Sequence, residues 1–147
     1  MESSSDSVER ILRSLSERAK ELNCLYRIDE ILSERGEDVE AALERVVEAI
    51  PPGWQYTDDC GARLVIDGEA YETPRCADAC AELTAPTEFD DETLGTVTVC
   101  YTEPYPELDE GPFLKEERRV INAIAQRIAL FLVQRRLRLA HDRISGA

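Results

Sequence analysis

The sequence has very little of several residue types, and these shortages exclude whole classes of function. It contains one histidine, one methionine and one tryptophan among 147 residues, and two lysines against 15 arginines. The only histidine, His141, stands without an activated serine motif, so the sequence gives no support to a Ser–His–Asp triad. The longest apolar run, 128–133, has six residues, whereas a helix needs roughly 20 to span a bilayer.

Other features of the composition narrow the possible partners. The seven glycines are scattered and form no phosphate-binding loop, dinucleotide fingerprint or calcium loop. The net charge of −14 disfavours nucleic acid, whose binding needs a clustered basic surface. The one basic cluster, 135–138, lies near the end of the last predicted helix, where cations suit the helix dipole. The acidic start of the chain differs from a signal peptide. We therefore expect a cytoplasmic, non-catalytic protein without nucleic-acid or membrane partners.

The five cysteines are an odd number, and they allow several interpretations. Cytoplasmic thiols are normally reduced, so we do not expect a disulfide framework. Cys76 and Cys80 are four residues apart, and together with Cys60 and Cys100 they could hold zinc or an iron–sulfur centre. A redox-switchable disulfide between Cys76 and Cys80 is a second hypothesis. The third is that these cysteines act only as small apolar side chains.

The most informative feature present is a pair of long apolar-striped helices that bracket a group of strands. The spacing of the first stripe is 4, 3, 4, 3, 4, which is typical of a heptad seam between paired helices. Its members are Val8, Leu12, Leu15, Ala19, Leu22 and Tyr26. The last helix, 113–143, is apolar on every side over 128–133, so more than one of its faces needs a cover. We predict a homodimer whose interface contains Val8, Leu12, Leu15, Ala19, Leu22, Ile128, Phe131 and Leu132.

The start of the chain predicts two helices. Residues 1–5 are expected to be disordered, and Asp6 followed by Glu9 fits a capping box that begins a helix. Gly36 offers the left-handed conformation that ends helices. Asp38 can cap a second helix, which Pro51 and its neighbour stop.

The middle of the chain predicts two β-hairpins. The dipeptide 67–68, Asp-Gly, between strand-like runs is a strong hairpin signal. A second hairpin joins 82–89 to 94–102, and Pro86 favours an edge position for its strand. Pro112 suits the start of the last helix. The order of elements predicts an α+β fold with an antiparallel sheet and the terminal helices packed on one face.

Five strings in this order resemble a GAF-like sensory domain of bacterial and archaeal signalling proteins. They are 21–28 (Glu-Leu-Asn-Cys-Leu-Tyr-Arg-Ile), 50–56 (Ile-Pro-Pro-Gly-Trp-Gln-Tyr), Ala62-Arg63 before a hairpin, 95–99 (Gly-Thr-Val-Thr-Val) and 110–118 (Glu-Gly-Pro-Phe-Leu-Lys-Glu-Glu-Arg). The resemblance covers about 18–136 and implies one GAF-like domain over 1–147.

The resemblance also implies a function. Such domains dimerise through their terminal helices and relay a signal to a histidine kinase or another output domain, and some bind cyclic nucleotides, tetrapyrroles, small metabolites or iron centres. We therefore expect a sensory or regulatory domain. The alternative is a thiol-based metal-binding or redox-sensing domain that uses the four cysteines named above.

The ligand-binding members build their pocket from segments inserted between central strands, and here that region is only about 74–81. No deep pocket for a tetrapyrrole or cyclic nucleotide is expected, and no particular cofactor is predicted. A shallow pocket could be lined by Trp54, Tyr56 and Tyr71, with Arg63 receiving an anionic ligand, because pockets are typically apolar with a few polar anchors. The same aromatic residues would also suit a plain strand core.

Overall fold

The computed structural model describes residues 4–34 and 38–145 and confirms the predicted α+β fold. Short 3₁₀ helices occupy Pro51–Gly53, Thr57–Asp59 and Pro74–Asp78. The longer elements are, in chain order, α1 (Ser4–Ser33), α2 (Val39–Ala49), β1 (Cys60–Ile66), β2 (Glu69–Glu72), β3 (Ala81–Phe89), β4 (Glu92–Tyr101) and α3 (Lys115–Ser145).

The four strands form one open antiparallel sheet in the order β2-β1-β4-β3. The first hairpin turns at Asp67 and Gly68, whose φ angles of 52° and 80° are the positive values that this turn requires. Both predicted hairpins are confirmed. Pro86 lies on the edge strand β3, where its missing N–H does not interrupt a ladder between two strands.

The helices cover one face of the sheet. α3 packs against β3 and β4, while α2 packs against β1 and β2. α1 rests mainly on α2, α3 and the 3₁₀ helix at Pro51–Gly53. The core between these layers includes Ile28, Leu43, Trp54, Val99 and Ile124, all fully buried. Within residues 4–34 and 38–145, no helix combines the length and apolarity needed to cross a membrane.

The helix ends differ from the sequence-based expectations. α1 already includes residues 4 and 5, which were expected to be disordered, and it begins before Asp6. The predicted stop at Gly36 lies outside the described residues. α3 begins at Lys115 rather than near Pro112, because Phe113 is first drawn into the core, where its ring stacks on Tyr101 at 4.7 Å.

The cap of α2 gives a direct test of this part of the fold. Asp38 has an extended backbone, and its Oδ1 accepts a hydrogen bond from the Ala41 N–H at 2.8 Å, as predicted. Asp38→Ala should lower the free energy of unfolding by about 1 kcal/mol, since a helix N–H loses its partner. Asp38→Asn keeps the acceptor and should stay within a few tenths of a kcal/mol of the parent. Urea denaturation of both variants measures the difference.

Candidate functional site

Within residues 4–34 and 38–145, the heptad stripe of α1 has no cover. Its large apolar side chains, from Val8 to Tyr26, are 52–68% exposed, and Ala19 is exposed as well. The opposite side of the helix supplies Cys24, Ile28 and Ile31 to the core. α1 therefore has two apolar faces, of which its own chain covers one.

The apolar run of α3 is used differently from the prediction. Ile128 and Phe131 were assigned to the dimer interface, but they are 0% and 8% exposed and belong to the chain's own core. Leu132 is half-buried against the same core. The reason is that α3 is covered by the sheet on one side and by α1 on another. These three residues leave little surface for a second copy.

A second heptad stripe runs along the outer side of α3. Its spacing is 3, 4, 3, 4, and it comprises Leu130, Val133, Leu137, Ala140 and Ile144. Leu130, Leu137 and Ile144 are 50–80% exposed. In the sequence this stripe is masked by the run 128–133, which is apolar in all directions. The spacing alone could have revealed it, since it continues past the run into the arginine-rich end.

The two long helices lie side by side and run parallel. The start of α3, at Leu114 and Glu116, lines a groove together with the 10–21 segment of α1. Further along, Arg127 Nε lies 2.8 Å from Asp29 Oδ1. The first turns of α1 therefore extend beyond the start of α3. Conversely, the last ~11 residues of α3 extend ~16 Å past the end of α1, at 1.5 Å per residue.

The four predicted ligand-binding residues do not line one pocket. Trp54 is fully buried in the core, and Tyr56 stacks on Tyr105 with ring centroids 3.6 Å apart. Tyr71 is paired with Leu64 and so faces the helices, whereas Arg63 faces the opposite side of the sheet. Adjacent strand residues alternate between faces. This alternation separates the proposed anion anchor from the aromatic side chains.

A groove of about 460 Å³ lies between α1 and α2 and is rich in cations. Lys20, Arg27 and Arg45 line it. Each is within ion-pair distance of a carboxylate, namely Glu17, Glu30 and Glu34 respectively. The groove thus holds internally paired charges, and we assign no ligand to it.

The cysteines are arranged differently from each sequence-based hypothesis. Cys76 forms a disulfide with Cys100, with a Cα–Cα distance of 5.8 Å, rather than with Cys80. Cys60 lies on the helix-covered face of the sheet, since it pairs with Tyr101, whereas Cys100 lies on the open face. In the described residues, no three histidine, cysteine or acidic side chains are grouped to hold a metal ion. The structure therefore does not assemble the four cysteines into one ligand set.

Cys60 and Cys24 have the features of apolar core residues. Both are free thiols that are 3% exposed. Burial raises the pKa of each thiol well above its ordinary value, to about 12 for Cys24. Since the thiolate is the nucleophile and metal ligand, both groups are held in the unreactive form.

The disulfide attaches the segment 73–80, here called the connector, to the open face of the sheet. Gly61 of β1 makes this approach possible. A Cβ atom there would lie 2.9 Å from the Cys76 backbone nitrogen and 3.0 Å from Cys100 Sγ. Thr73 extends the contact, because its Oγ1 accepts a hydrogen bond from the Ala62 N–H at 3.0 Å. The connector thus covers one end of the open face, which explains why Cys100 is fully buried.

A buried carboxylate at the start of α3 was not singled out from the sequence. Glu117 is 2% exposed and accepts three hydrogen bonds, from Leu114 N–H at 2.8 Å, Gln55 N–H at 3.0 Å and Tyr101 O–H at 3.0 Å. Burial raises its pKa against the opposing effect of these donors. In the sequence it is one acid of a pair at a helix start, and nothing local distinguishes it from its neighbour Glu116, which is only half-buried.

The family resemblance rests on the five strings quoted above and on the arrangement of the elements. An antiparallel sheet with the N- and C-terminal helices on one face is the arrangement that the resemblance implied. The GAF-like assignment remains a prediction. Comparisons of the chain with protein-family models, with curated proteins and with solved structures found no match.

Proposed function

We propose that this chain is a non-catalytic sensory or regulatory domain that dimerises through its terminal helices and relays a signal along them. The observation that carries the proposal is the pair of exposed heptad stripes on α1 and α3. Large contiguous apolar surfaces of this kind are typical of interaction sites. The 3,4 spacing favours a second copy of the chain as the binding partner, because such a seam is complementary to itself.

The parallel arrangement of the two helices supports a relay. α1 extends beyond the start of α3 at one end, and α3 extends beyond the end of α1 at the other. A small rotation or register shift between two paired copies can have two discrete packings. A change on the sheet side would thus be transmitted along α3 to an output domain, such as a histidine kinase, or to another signalling partner.

The oligomeric state of the parent chain tests this proposal. Sedimentation equilibrium over a wide concentration range should give a mass that approaches two copies of 16.6 kDa. The exposed side chains of both stripes lie outside the core of the chain. The dimer should therefore dissociate on dilution without loss of the helical circular dichroism signal. A protein that remains monomeric at the highest concentration would overturn the proposal.

A further inference from the structure

Three of the five cysteines lie at one end of the sheet, where the connector meets β4. Cys100 lies directly across from Glu82 of β3. Cys80 lies immediately before β3, whose first residue pairs with Tyr101. Its backbone N–H donates to the Tyr101 carbonyl at 2.7 Å, which places Cys80 beside the residue that follows Cys100. Cys76, at the other end of the connector, is bonded to Cys100.

The three sulfur atoms differ sharply in their access to solvent. The disulfide is enclosed, since Cys76 and Cys100 are 3% and 0% exposed. Cys80 is an exposed free thiol, and its Sγ donates a hydrogen bond to the Thr102 carbonyl at 3.2 Å. An external thiol can therefore meet Cys80 in the folded chain but not the buried disulfide. A free thiol beside a disulfide can attack one of its sulfur atoms in thiol–disulfide exchange.

We propose that Cys76, Cys80 and Cys100 form a thiol–disulfide exchange site, in which Cys80 makes the buried disulfide accessible to small dithiols. In the first step the Cys80 thiolate attacks Cys76 Sγ. The Cys76–Cys80 bond forms, the Cys76–Cys100 bond breaks, and Cys100 leaves as a thiolate that takes up the proton lost by Cys80. The number of electrons in the chain is unchanged, so this step needs no oxidant or reductant.

In the second step a small dithiol reduces the new disulfide. Its first thiolate attacks a sulfur of the Cys76–Cys80 bond, and its second closes a cyclic disulfide. The dithiol thereby loses two electrons and two protons, and Cys76 and Cys80 become thiols. Only three residues separate Cys76 from Cys80. The first step, in which Cys80 attacks Cys76, is therefore an intramolecular reaction at high effective concentration.

The exchange changes what the connector is attached to. In the structure the disulfide joins the connector to the central strand β4. After the first step the disulfide would join Cys76 to Cys80, and both of these residues belong to the connector. The tight approach at Gly61 would then lose its covalent restraint, and the end of the open face that the connector covers would become accessible. The redox state of small thiols would thus set the exposure of this face.

The rate of native-state reduction tests the role of Cys80. The purified chain in its oxidised form should have three free thiols, which rise to five when dithiothreitol is added. Cys80→Ser should slow this rise roughly tenfold or more, because the tethered attacking thiol is lost. Cys60→Ala, which removes a thiol from the other face of the sheet, should reduce as fast as the parent. In urea all the variants should reduce alike.

A second variant traps the proposed product. Cys100→Ser removes the buried partner, so mild oxidation with diamide should join Cys76 to Cys80 and leave two free thiols of four, as peptide mass mapping would show. Equal native-state reduction rates for Cys80→Ser and the parent would overturn the proposal. So would a Cys100→Ser chain that keeps both Cys76 and Cys80 as free thiols under diamide, or a parent chain that retains five free thiols under the same oxidant.

Discussion

Leu15→Asp should be monomeric at concentrations at which the parent chain is a dimer. Leu15 is central in the α1 stripe and 61% exposed in the single chain. A twofold dimer would bury the substitution twice, and each uncompensated polar group costs about 2–3 kcal/mol. The total of ~4–6 kcal/mol corresponds to a ~10³- to 10⁴-fold rise in Kd. Sedimentation equilibrium measures this directly, and Leu12→Asp should behave in the same way.

A matched control shows whether the dimer dissociates because of where the new carboxylate lies or simply because a negative charge is added. Ser14→Asp adds the same carboxylate one residue away, at an exposed position outside the 3,4 stripe. It should leave the dimer intact. Because neither position contributes to the core, both variants should keep the parent's helical circular dichroism and thermal transition. If Ser14→Asp dissociates the dimer as strongly as Leu15→Asp, the stripe is not the interface.

The elements that could be predicted from the sequence are those with a local signal. Asp67 and its glycine specify a turn by themselves, because both residues must adopt positive φ. Asp38 caps α2 through an atom only three residues away. Alternation along 96–101 predicts two different faces of β4, and the sheet register confirms it. In each case the physical cause lies within a few residues, so the sequence alone is sufficient.

The candidate sites depend on contacts between distant residues, and there the sequence was insufficient. The spacing of Cys76 and Cys80 suggested a local pair, yet the pairing depends on how the connector lies over Gly61 and β4. Likewise, Ile128 and Phe131 were assigned to a dimer because nothing local shows which side of α3 meets the sheet. Only the tertiary packing distinguishes a core residue from an interface residue in a run that is apolar all round.

The two candidate sites are close to each other through β4. Cys100 faces the connector on the open side of the sheet, and the next residue, Tyr101, faces the helices. The Tyr101 hydroxyl donates to Glu117 in the first turns of α3. One hydrogen bond therefore separates the strand that carries the disulfide from the helix proposed to relay the signal. Glu117 thus joins the relay helix to β4 by a side-chain hydrogen bond.

Glu117→Ala should lower the free energy of unfolding by about 3 kcal/mol at neutral pH. The variant leaves two backbone N–H groups and one hydroxyl without their acceptor. Each buried donor left unpaired costs about 1–3 kcal/mol, partly offset because the buried charge is removed. Chemical denaturation followed by tryptophan fluorescence reports the loss, since the single tryptophan is fully buried.

The pH dependence of this difference has a definite sign. Burial raises the pKa of Glu117 above its ordinary value of 4.5, so the folded chain holds a proton that the unfolded chain releases. The stabilisation linked to this proton is complete below the ordinary pKa and is lost as the pH rises through the folded-state pKa. The gap in stability between the parent and Glu117→Ala should therefore be larger near pH 4 than at pH 7.

Two further variants separate this effect from a general loss of acidic charge. Glu116→Ala removes the neighbouring carboxylate, which is only half-buried, and should cost less than about 1 kcal/mol. Tyr101→Phe removes one of the three donors and should cost about 1 kcal/mol. Glu117→Ala should lower the free energy of unfolding most, and the other two variants should lower it much less. If Glu117→Ala were no more costly than Glu116→Ala, the attachment of α3 to β4 would not depend on the three hydrogen bonds of Glu117.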